Sequence, residues 1–133
     1  MNMNTKPKTM VENLLYPDLS YRVVGLAMEV HNRLGYGFLE KVYENALMIL
    51  LRKAGIKAQQ QCPIKVYFES EEVGSYVADI VVADSIILEL KSQDTITNAD
   101  RSQTLNYLKA TGYKLAIILN FGKTRLQTER FAY

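Results

Sequence analysis

The sequence has few of the residues on which several common catalytic chemistries depend. It contains one cysteine, Cys62, and one histidine, His31. A single cysteine excludes an intrachain disulfide and favours a reducing compartment, and we expect Cys62 to serve in packing. With one histidine and no CxxC pair, zinc sites and Ser-His-Asp catalysis are disfavoured, and His31 is expected to have a surface or capping role. The informative positions are then those at which charge interrupts an apolar pattern.

Long apolar runs are also missing. The longest, such as residues 46–51 and 115–119, fall far short of the roughly 20 residues that span a bilayer. The first ten residues are polar, carry two lysines and lack the apolar stretch of a signal peptide. Glycine-rich phosphate loops of the Walker or GxGxxG type are absent too. We therefore expect a cytoplasmic protein with no membrane segment.

Length and composition predict one folded domain. The chain has 133 residues, of which 48% are apolar and 23% charged, values typical of globular proteins. Its net charge of +2 does not by itself indicate a nucleic-acid partner. The charge is uneven, however, because residues 105–133 carry five cations against one anion, a net charge of +4. This basic segment would suit a polyanion beside a carboxylate site, and solvated surface lysines are the alternative explanation.

Hydrophobic periodicity predicts the element order α-α-β-β-β-α-β-β, a mixed central sheet flanked by helices in the α/β (α+β) class. Residues 1–17 are expected to form a polar arm with one helical turn near residues 11–15, and residues 18–133 a single domain. Ser20 is the expected N-cap of the first helix, and Thr97 opens a capping box before the third. The expected helices span residues 20–34, 38–54 and 97–111, and the strands 64–68, 73–82, 86–91, 115–121 and 125–131.

Charge interrupts the apolar pattern in the second and third predicted strands. Asp79 lies within residues 76–82, where every other residue suits a buried strand, so its carboxylate needs a partner. In the next strand, period-2 alternation places Glu89 and Lys91 on one face. If the strands pair through their short turn, Asp79 comes close to both. A buried ion pair is the structural explanation, but two carboxylates exceed one ammonium, and Mg²⁺ or Mn²⁺ would balance the excess.

A third carboxylate, Glu40, is expected at the margin of the apolar face of the second helix. At about 100° per residue its direction falls between those of Leu47 and Leu51, so it faces the sheet. The helix dipole also favours an acid in the first turn, by about 0.3 to 1 kcal/mol, which explains its presence but not its side. We therefore interpret Glu40 as part of the same acidic site.

The spacing of these residues resembles a nuclease signature. Asp79 followed by Glu89-Leu90-Lys91 is similar to the D-x(n)-(D/E)-x-K pattern of the PD-(D/E)xK superfamily. The segment GFLEKVY at residues 37–43 resembles the motif of the GxxExxY family, a small bacterial branch of that superfamily. The resemblance covers residues 20–131, and its further motifs follow in order: Glu29-Val30-His31, Leu34-Gly35, residues 76–79, residues 103–112 and Asn120-Phe121-Gly122.

The resemblance implies the restriction-endonuclease-like fold and a metal-dependent nuclease. Asp79 and Glu89 would ligate Mg²⁺ or Mn²⁺ together with the backbone carbonyl of Leu90. Glu40 would be the helix-borne acid that completes the site, as a catalytic group and a possible further ligand of the metal. Mg²⁺ would lower the pKa of its bound water and neutralise charge on the phosphoryl oxygens.

The other implied roles concern water and substrate. Lys91 would orient or help deprotonate the attacking water, and Gln103 would position the water or a phosphate oxygen. Many members of the family carry histidine where this chain has Asp100, so no histidine-dependent step is expected. The implied partner is nucleic acid, DNA in preference, with a homodimer as the expected way to cut two strands. A catalytically silent nucleic-acid-binding or protein-interaction module and a purely structural ion-pair cluster remain the alternatives.

Overall fold

The computed structural model describes residues 16–133, and these form three helices and one five-stranded sheet. The helical turn expected near residues 11–15 lies outside the described residues. The predicted element order and the mixed α+β class are confirmed. The elements are α1 (Pro17–Leu34), α2 (Glu40–Lys53), β1 (Ala58–Phe68), β2 (Glu71–Val82), β3 (Ile86–Lys91), α3 (Asn98–Thr111), β4 (Leu115–Asn120) and β5 (Gln127–Ala132).

Helix α1 begins at Pro17 and not at the predicted N-cap, Ser20. Proline suits the first helical position because its φ is already helical and its missing N–H needs no partner there. Ser20 instead lies buried in the first turn, where its hydroxyl contacts the carbonyl oxygen of Pro17 at 3.3 Å and accepts from the guanidinium of Arg130 at 2.8 Å. None of the helices in residues 16–133 has the length and apolarity needed to cross a bilayer.

The sheet follows the chain order from β1 to β5. All neighbours are antiparallel except β3 and β4, which run parallel from the pair Ile86↔Leu115 to the pair Lys91↔Asn120. A parallel pair needs a crossover connection, and α3 supplies it. The carboxyl ends of β3 and β4 consequently lie at the same edge of the sheet.

Strand β1 begins at Ala58, earlier than the predicted start at Ile64. The polar run Gln59-Gln60-Gln61 concealed the extension, because three consecutive glutamines show no alternation of apolar and polar residues. Pairing with β2 over Ala58↔Val82 to Gln60↔Ile80 supplies the backbone partners that make this segment a strand.

Two apolar layers cover the sheet. On one face, Leu88 and Leu90 pack with α1 and α2, and on the other, Ile87 packs with Leu108 of α3. Cys62 packs at the edge of the α3 layer, as expected. The two layers hold β3 and β4 buried on both sides, which explains their nearly continuous apolar sequences.

An aromatic contact joins the helical pair to the end of β4. Tyr43 is fully buried and its ring stacks on Phe121 with centroids 4.5 Å apart, while its hydroxyl donates to the carbonyl of Gly35 at 2.6 Å. His31 also lies beside Phe121, and its Nε2 is 2.7 Å from the carbonyl oxygen of Lys123. The expected surface position of His31 is therefore wrong, since the residue is buried and holds the loop after β4.

Candidate active site

The sheet opens between β2 and β3 at the two acids singled out in these strands. The two strands pair from Val82↔Ile86 to Ile80↔Leu88, where their ladder ends. Asp79 and Glu89 are the next residues on either strand. From there β2 continues beside β1 alone and β3 beside β4 alone. We call this opening the fork, defined by Asp79, Glu89 and Leu90.

The alternation of β2 changes phase at the fork. Ala78 packs in the apolar layer of α3, whereas Ile80 packs in the layer of α1 and α2, although two residues apart in a regular strand share a face. On β1, Gln61 stands at the same level and has a positive φ of 53°. This irregularity releases Asp79 from the regular ladder, so its side chain can turn into the opening.

At the fork, the side chain of Asp79 accepts a backbone N–H of β3 in place of a backbone carbonyl of β2. Its Oδ2 accepts the N–H of Leu90 at 2.8 Å. Burial raises the pKa of Asp79, and this hydrogen bond opposes the rise. The carboxylate thus bridges the separating strands while its second oxygen makes no hydrogen bond within residues 16–133.

Glu89 is the least compensated acid of the described residues. It is 6% exposed, and its Oε2 is buried without a hydrogen-bond partner in this part of the chain. Burial, followed by the charge of Asp79, raises the pKa of Glu89 to about 8, and Lys91 only partly opposes this. An unmatched buried carboxylate is costly unless it takes a proton or a cation.

Lys91 is close enough to the two acids to influence them, but its ion-pair partner is Asp100. Its Nζ lies 3.6 Å from Asp100 Oδ1, and the two side chains are 21% and 13% exposed. The Lys91–Asp100 pair is not predicted from the sequence, in which Asp100 stands out only as a departure from the histidine of many relatives. The available signal was the capping box at Thr97, which places Asp100 in the first turn of α3.

Glu40 lies at the wall of a cleft of about 420 Å³ that also includes Asp79, Lys41 and Ser92. Burial against this wall raises the pKa of Glu40, while the charge of Lys91 and a hydrogen bond from the Ser92 backbone lower it. The structure therefore brings Glu40 beside the fork. The carboxylate of Glu40 accepts a hydrogen bond from the backbone of Ser92, the first residue after β3.

Glu44, which sequence analysis missed, is buried one turn after Glu40. Its Oε2 accepts from Lys41 at 3.1 Å and from Gln60 at 2.7 Å, and its Oε1 accepts from Gln61 at 3.0 Å. The signal was the i, i+4 spacing from Glu40 together with the glutamine run of β1. Because these donors satisfy the Glu44 carboxylate, it holds the cleft wall and is not available as a ligand.

Gln103 is exposed on α3 and makes no hydrogen bond within residues 16–133. Tyr107, also on α3, interacts electrostatically with the acids of the fork. Burial and the charges of Glu89 and Asp79 raise the pKa of Tyr107 to about 12. Tyr107 also packs against Tyr76, with ring centroids 5.5 Å apart. The structure thus leaves Gln103 outside the group formed by the other predicted site residues.

The donors at the fork fit a hard divalent cation with an open coordination sphere. Within residues 16–133, no three acid, histidine or cysteine side chains converge as a complete metal cage. Mg²⁺ does not require one, because it commonly binds through one or two carboxylates and keeps several waters. Two carboxylates are present, and one of them has an unmatched buried oxygen.

Strand geometry also directs the backbone carbonyl oxygen of Leu90 into the fork. In a strand, the N–H and C=O of one residue point to the same side, and neighbouring residues point to opposite sides. The carbonyl of Lys91 points to β4, where it accepts the N–H of Phe121 at 2.7 Å. The N–H of Leu90 points to Asp79. Its carbonyl therefore faces the fork as well.

Comparison with known proteins agrees with this fold. A sequence model of the PD-(D/E)XK nuclease superfamily matches residues 17–131, and the chain belongs to that superfamily. The predicted superfamily and its restriction-endonuclease-like fold are confirmed. A comparison with curated protein sequences finds no match.

Two solved structures share the fold. The crystal structure of SSO0001 is 13% identical with a TM-score of 0.55, and the match covers 70% of this chain and 50% of that one. An alkaline exonuclease, LHK-Exo, from Laribacter hongkongensis is 12% identical with a TM-score of 0.50, covering 80% and 66%. The chain thus spans between half and two thirds of these proteins. At such identities the likeness shows the fold alone.

Proposed function

We propose that this chain is a Mg²⁺-dependent nuclease that hydrolyses phosphodiester bonds in DNA, with Mn²⁺ as an alternative ion. The observation that carries the proposal is the Glu89 carboxylate, which is buried at the fork with one oxygen unmatched. Membership of the nuclease superfamily supports a phosphodiester as the bond that is cut. The basic segment of residues 105–133 supports a polyanionic substrate.

Each predicted site residue has a part in this proposal. Asp79, Glu89 and the carbonyl of Leu90 hold the cation. When bound, the cation lowers the pKa of a coordinated water and neutralises charge on the phosphoryl oxygens. Lys91 orients the attacking water and adds positive charge beside it. Glu40 holds the segment after β3 through the Ser92 backbone and interacts with the charge of Lys91.

Gln103 is assigned to the substrate. Its exposed position on α3 suits contact with a phosphate oxygen of bound DNA better than contact with the attacking water. We expect Gln103→Ala to raise KM for DNA and to change kcat little, since the contact forms with substrate and transition state alike. A kcat loss with unchanged KM would instead assign Gln103 to the water.

The test is a cleavage assay on labelled single-stranded, double-stranded and branched DNA with Mg²⁺ or Mn²⁺. Wild type is expected to cleave at least one substrate, and Glu89→Gln to lose about 100-fold or more of the rate. Glu29→Gln is the matched control, because Glu29 has a half-exposed side chain paired with Arg33 on the surface. Equal rates for Glu89→Gln and wild type would contradict the proposal.

A second measurement does not depend on activity. Mg²⁺ is expected to raise the Tm of wild type and of Glu29→Gln but not of Glu89→Gln, because a ligand that binds the folded state stabilises it. Salt-sensitive DNA binding without cleavage of any substrate would favour the catalytically silent module.

The purely structural ion-pair cluster has less support. Lys91 pairs with Asp100 and only partly compensates Glu89, one of whose buried oxygens has no hydrogen-bond partner in residues 16–133. In a cluster that served only stability, each buried charge would be paired with an opposite charge. Unchanged Tm in Mg²⁺, with a lower Tm for Asp79→Asn or Lys91→Met, would favour that reading.

Three finer points belong to the same proposal. The GFLEKVY segment at residues 37–43 supports the GxxExxY branch. The small size of the domain supports a homodimer for cutting both strands, which sedimentation at several protein concentrations tests. The single cysteine supports a reducing, cytoplasmic location.

A further inference from the structure

A network of hydrogen bonds begins at Asn120, the last residue of β4, which is fully buried. Its Oδ1 accepts the N–H of Gln93 at 3.0 Å and of Gly122 at 3.1 Å. Its Nδ2 donates to the carbonyl of Gln93 at 2.9 Å and to the Gln127 side chain at 2.8 Å. Both donors and both acceptor sites of the amide are used. The backbone of Gln93 is therefore held on both of its polar groups.

The segment after β3 is pressed against the segment after β4 at this point. A Cβ on Gly122 would overlap the carbonyl oxygen and the backbone nitrogen of Gln93. No side chain fits into such a contact between two backbones. The position of Gln93, two residues after Lys91, is thus set by the end of β4.

The Gln93 side chain continues the network to α3. Its Nε2 donates to the carbonyl of Thr95 at 2.7 Å and to Asp100 Oδ2 at 2.6 Å. The same Oδ2 accepts the N–H of Thr97 at 2.9 Å. These contacts engage one oxygen of Asp100 and turn the other, Oδ1, towards Lys91.

A lysine beside two carboxylates needs such a partner if the carboxylates are to stay available. The ammonium of Lys91 stands on a flexible stem, and the Asp79 carboxylate together with the unmatched oxygen of Glu89 would draw it into the fork. There it would occupy the place of a cation. Asp100 opposes that attraction from outside the fork.

We propose that Asp100 and Gln93 are positioning residues that hold the ammonium of Lys91 outside the fork, so that Asp79 and Glu89 stay open to a divalent cation. Asn120 anchors this arrangement through the Gln93 backbone. The inference rests on the proposed function, and it adds a specific consequence. Loss of Asp100 lets Lys91 compete with the cation, so metal affinity depends on Asp100 only while Lys91 is present.

The test is a double-mutant cycle read by calorimetric titration with Mn²⁺ and Mg²⁺. We expect Asp100→Asn to weaken metal binding by about 10-fold or more, as outer-shell changes commonly do. Asp100→Asn keeps an acceptor for Thr97 and Gln93. In the Lys91→Met background, the same change is expected to have little effect, because the competing ammonium is gone.

Two further variants separate this effect from damage to α3. Gln93→Ala leaves the helix cap intact and is expected to weaken metal binding in the same direction. Glu129→Gln removes the 2.7 Å ion pair between Glu129 and Arg101 on the same helix, and should bind metal as wild type does. Wild-type affinity in Asp100→Asn, or an equal loss with and without Lys91, would overturn the inference while leaving the proposed function intact.

A spectroscopic readout distinguishes failure of the inference from failure of the proposed function. The ¹⁵N signal of the Lys91 ammonium, assigned by its loss in Lys91→Met, is expected to shift in Asp100→Asn and Gln93→Ala but not in Glu129→Gln. An unchanged signal would overturn the inference whatever the activity. If the signal shifts as expected and wild type neither binds metal nor cleaves DNA, the proposed function fails while the contacts that position Lys91 stand.

Discussion

Glu89 is the residue at which burial and charge are most out of balance. Its raised pKa of about 8 means that the folded protein binds a proton there more tightly than the unfolded chain, whose ordinary value is 4.5. Between these two pKa values the folded state carries more protons, so its stability falls as pH rises. The contribution is fully present below the unfolded pKa and is lost as pH rises through the folded pKa.

We therefore expect the Tm of the metal-free protein to fall from about pH 5 to pH 8, with a stability loss of roughly 3 to 5 kcal/mol. Glu89→Gln should flatten this dependence, because an amide does not titrate. Thermal unfolding in chelator across the pH range measures it, with Glu29→Gln as the surface control. A rising Tm over this range, or the same slope in Glu89→Gln, would contradict the assignment.

At the scale of elements, the loop after β3 packs directly against the loop after β4, with backbone in contact with backbone. Gly122 makes this contact possible because its missing Cβ leaves room for the Gln93 backbone. Helix α3 is linked to the loop after β3 by the hydrogen bond from Gln93 Nε2 to Asp100 Oδ2 at 2.6 Å. The orientation of the end of β3, and hence of Lys91, depends on three elements that meet at one edge.

We expect Gly122→Ala to destabilise the protein by at least about 1 to 3 kcal/mol, because the added methyl group overlaps backbone atoms that cannot move alone. Gly25→Ala is the matched control. Gly25 lies within α1, nothing lies within 4 Å of an added Cβ there, and helix propensity predicts a gain of about 0.5 to 1 kcal/mol. Denaturant unfolding measures both. Equal stability of the two variants would show that the Gly122 contact is relaxed at little cost.

At the scale of the whole molecule, two exposed cations lie at the same edge of the sheet as the site. The loop between β4 and β5 carries Lys123 and Arg125, both exposed, and follows the edge at which β3 and β4 end. Lys57 lies at the opposite edge, beside the turn between β2 and β3, where it contacts Asp84 at 2.8 Å. Lys123 and Arg125 thus lie near the site, whereas Lys57 lies away from it.

We expect the double variant Lys123→Gln, Arg125→Gln to bind DNA more weakly and to reduce the slope of log K against log salt by about 2, roughly one per lost phosphate contact. Fluorescence anisotropy over a range of salt, without a cleavage-supporting metal, measures the slope. Lys57→Gln should leave it unchanged. If the double variant keeps the wild-type slope, DNA lies elsewhere on the surface.

The local pattern of the sequence was sufficient for the order of helices and strands, for the capping box at Thr97 and for the proximity of Asp79 and Glu89. These features depend on periodicity, on hydrogen bonds within a few residues and on one short turn, so neighbouring residues determine them. The same local reasoning misplaced the start of α1 and the beginning of β1. Pro17 begins α1, and Ser20 accepts a hydrogen bond from the distant Arg130 instead of capping the helix. The extension of β1 depends on its pairing with β2.

Tertiary structure alone decided the partners of Lys91 and of Glu44. Asp100 is nine residues from Lys91, and Asn120 is distant in sequence from Gln93, yet they form one network because β3 and β4 run parallel and end at one edge. Glu44 meets Gln60 and Gln61 only because α2 packs beside β1. The sequence determined which acids and which lysine were available. Packing determined their partners, since a buried charge is governed by the groups that the fold brings to within a few ångströms.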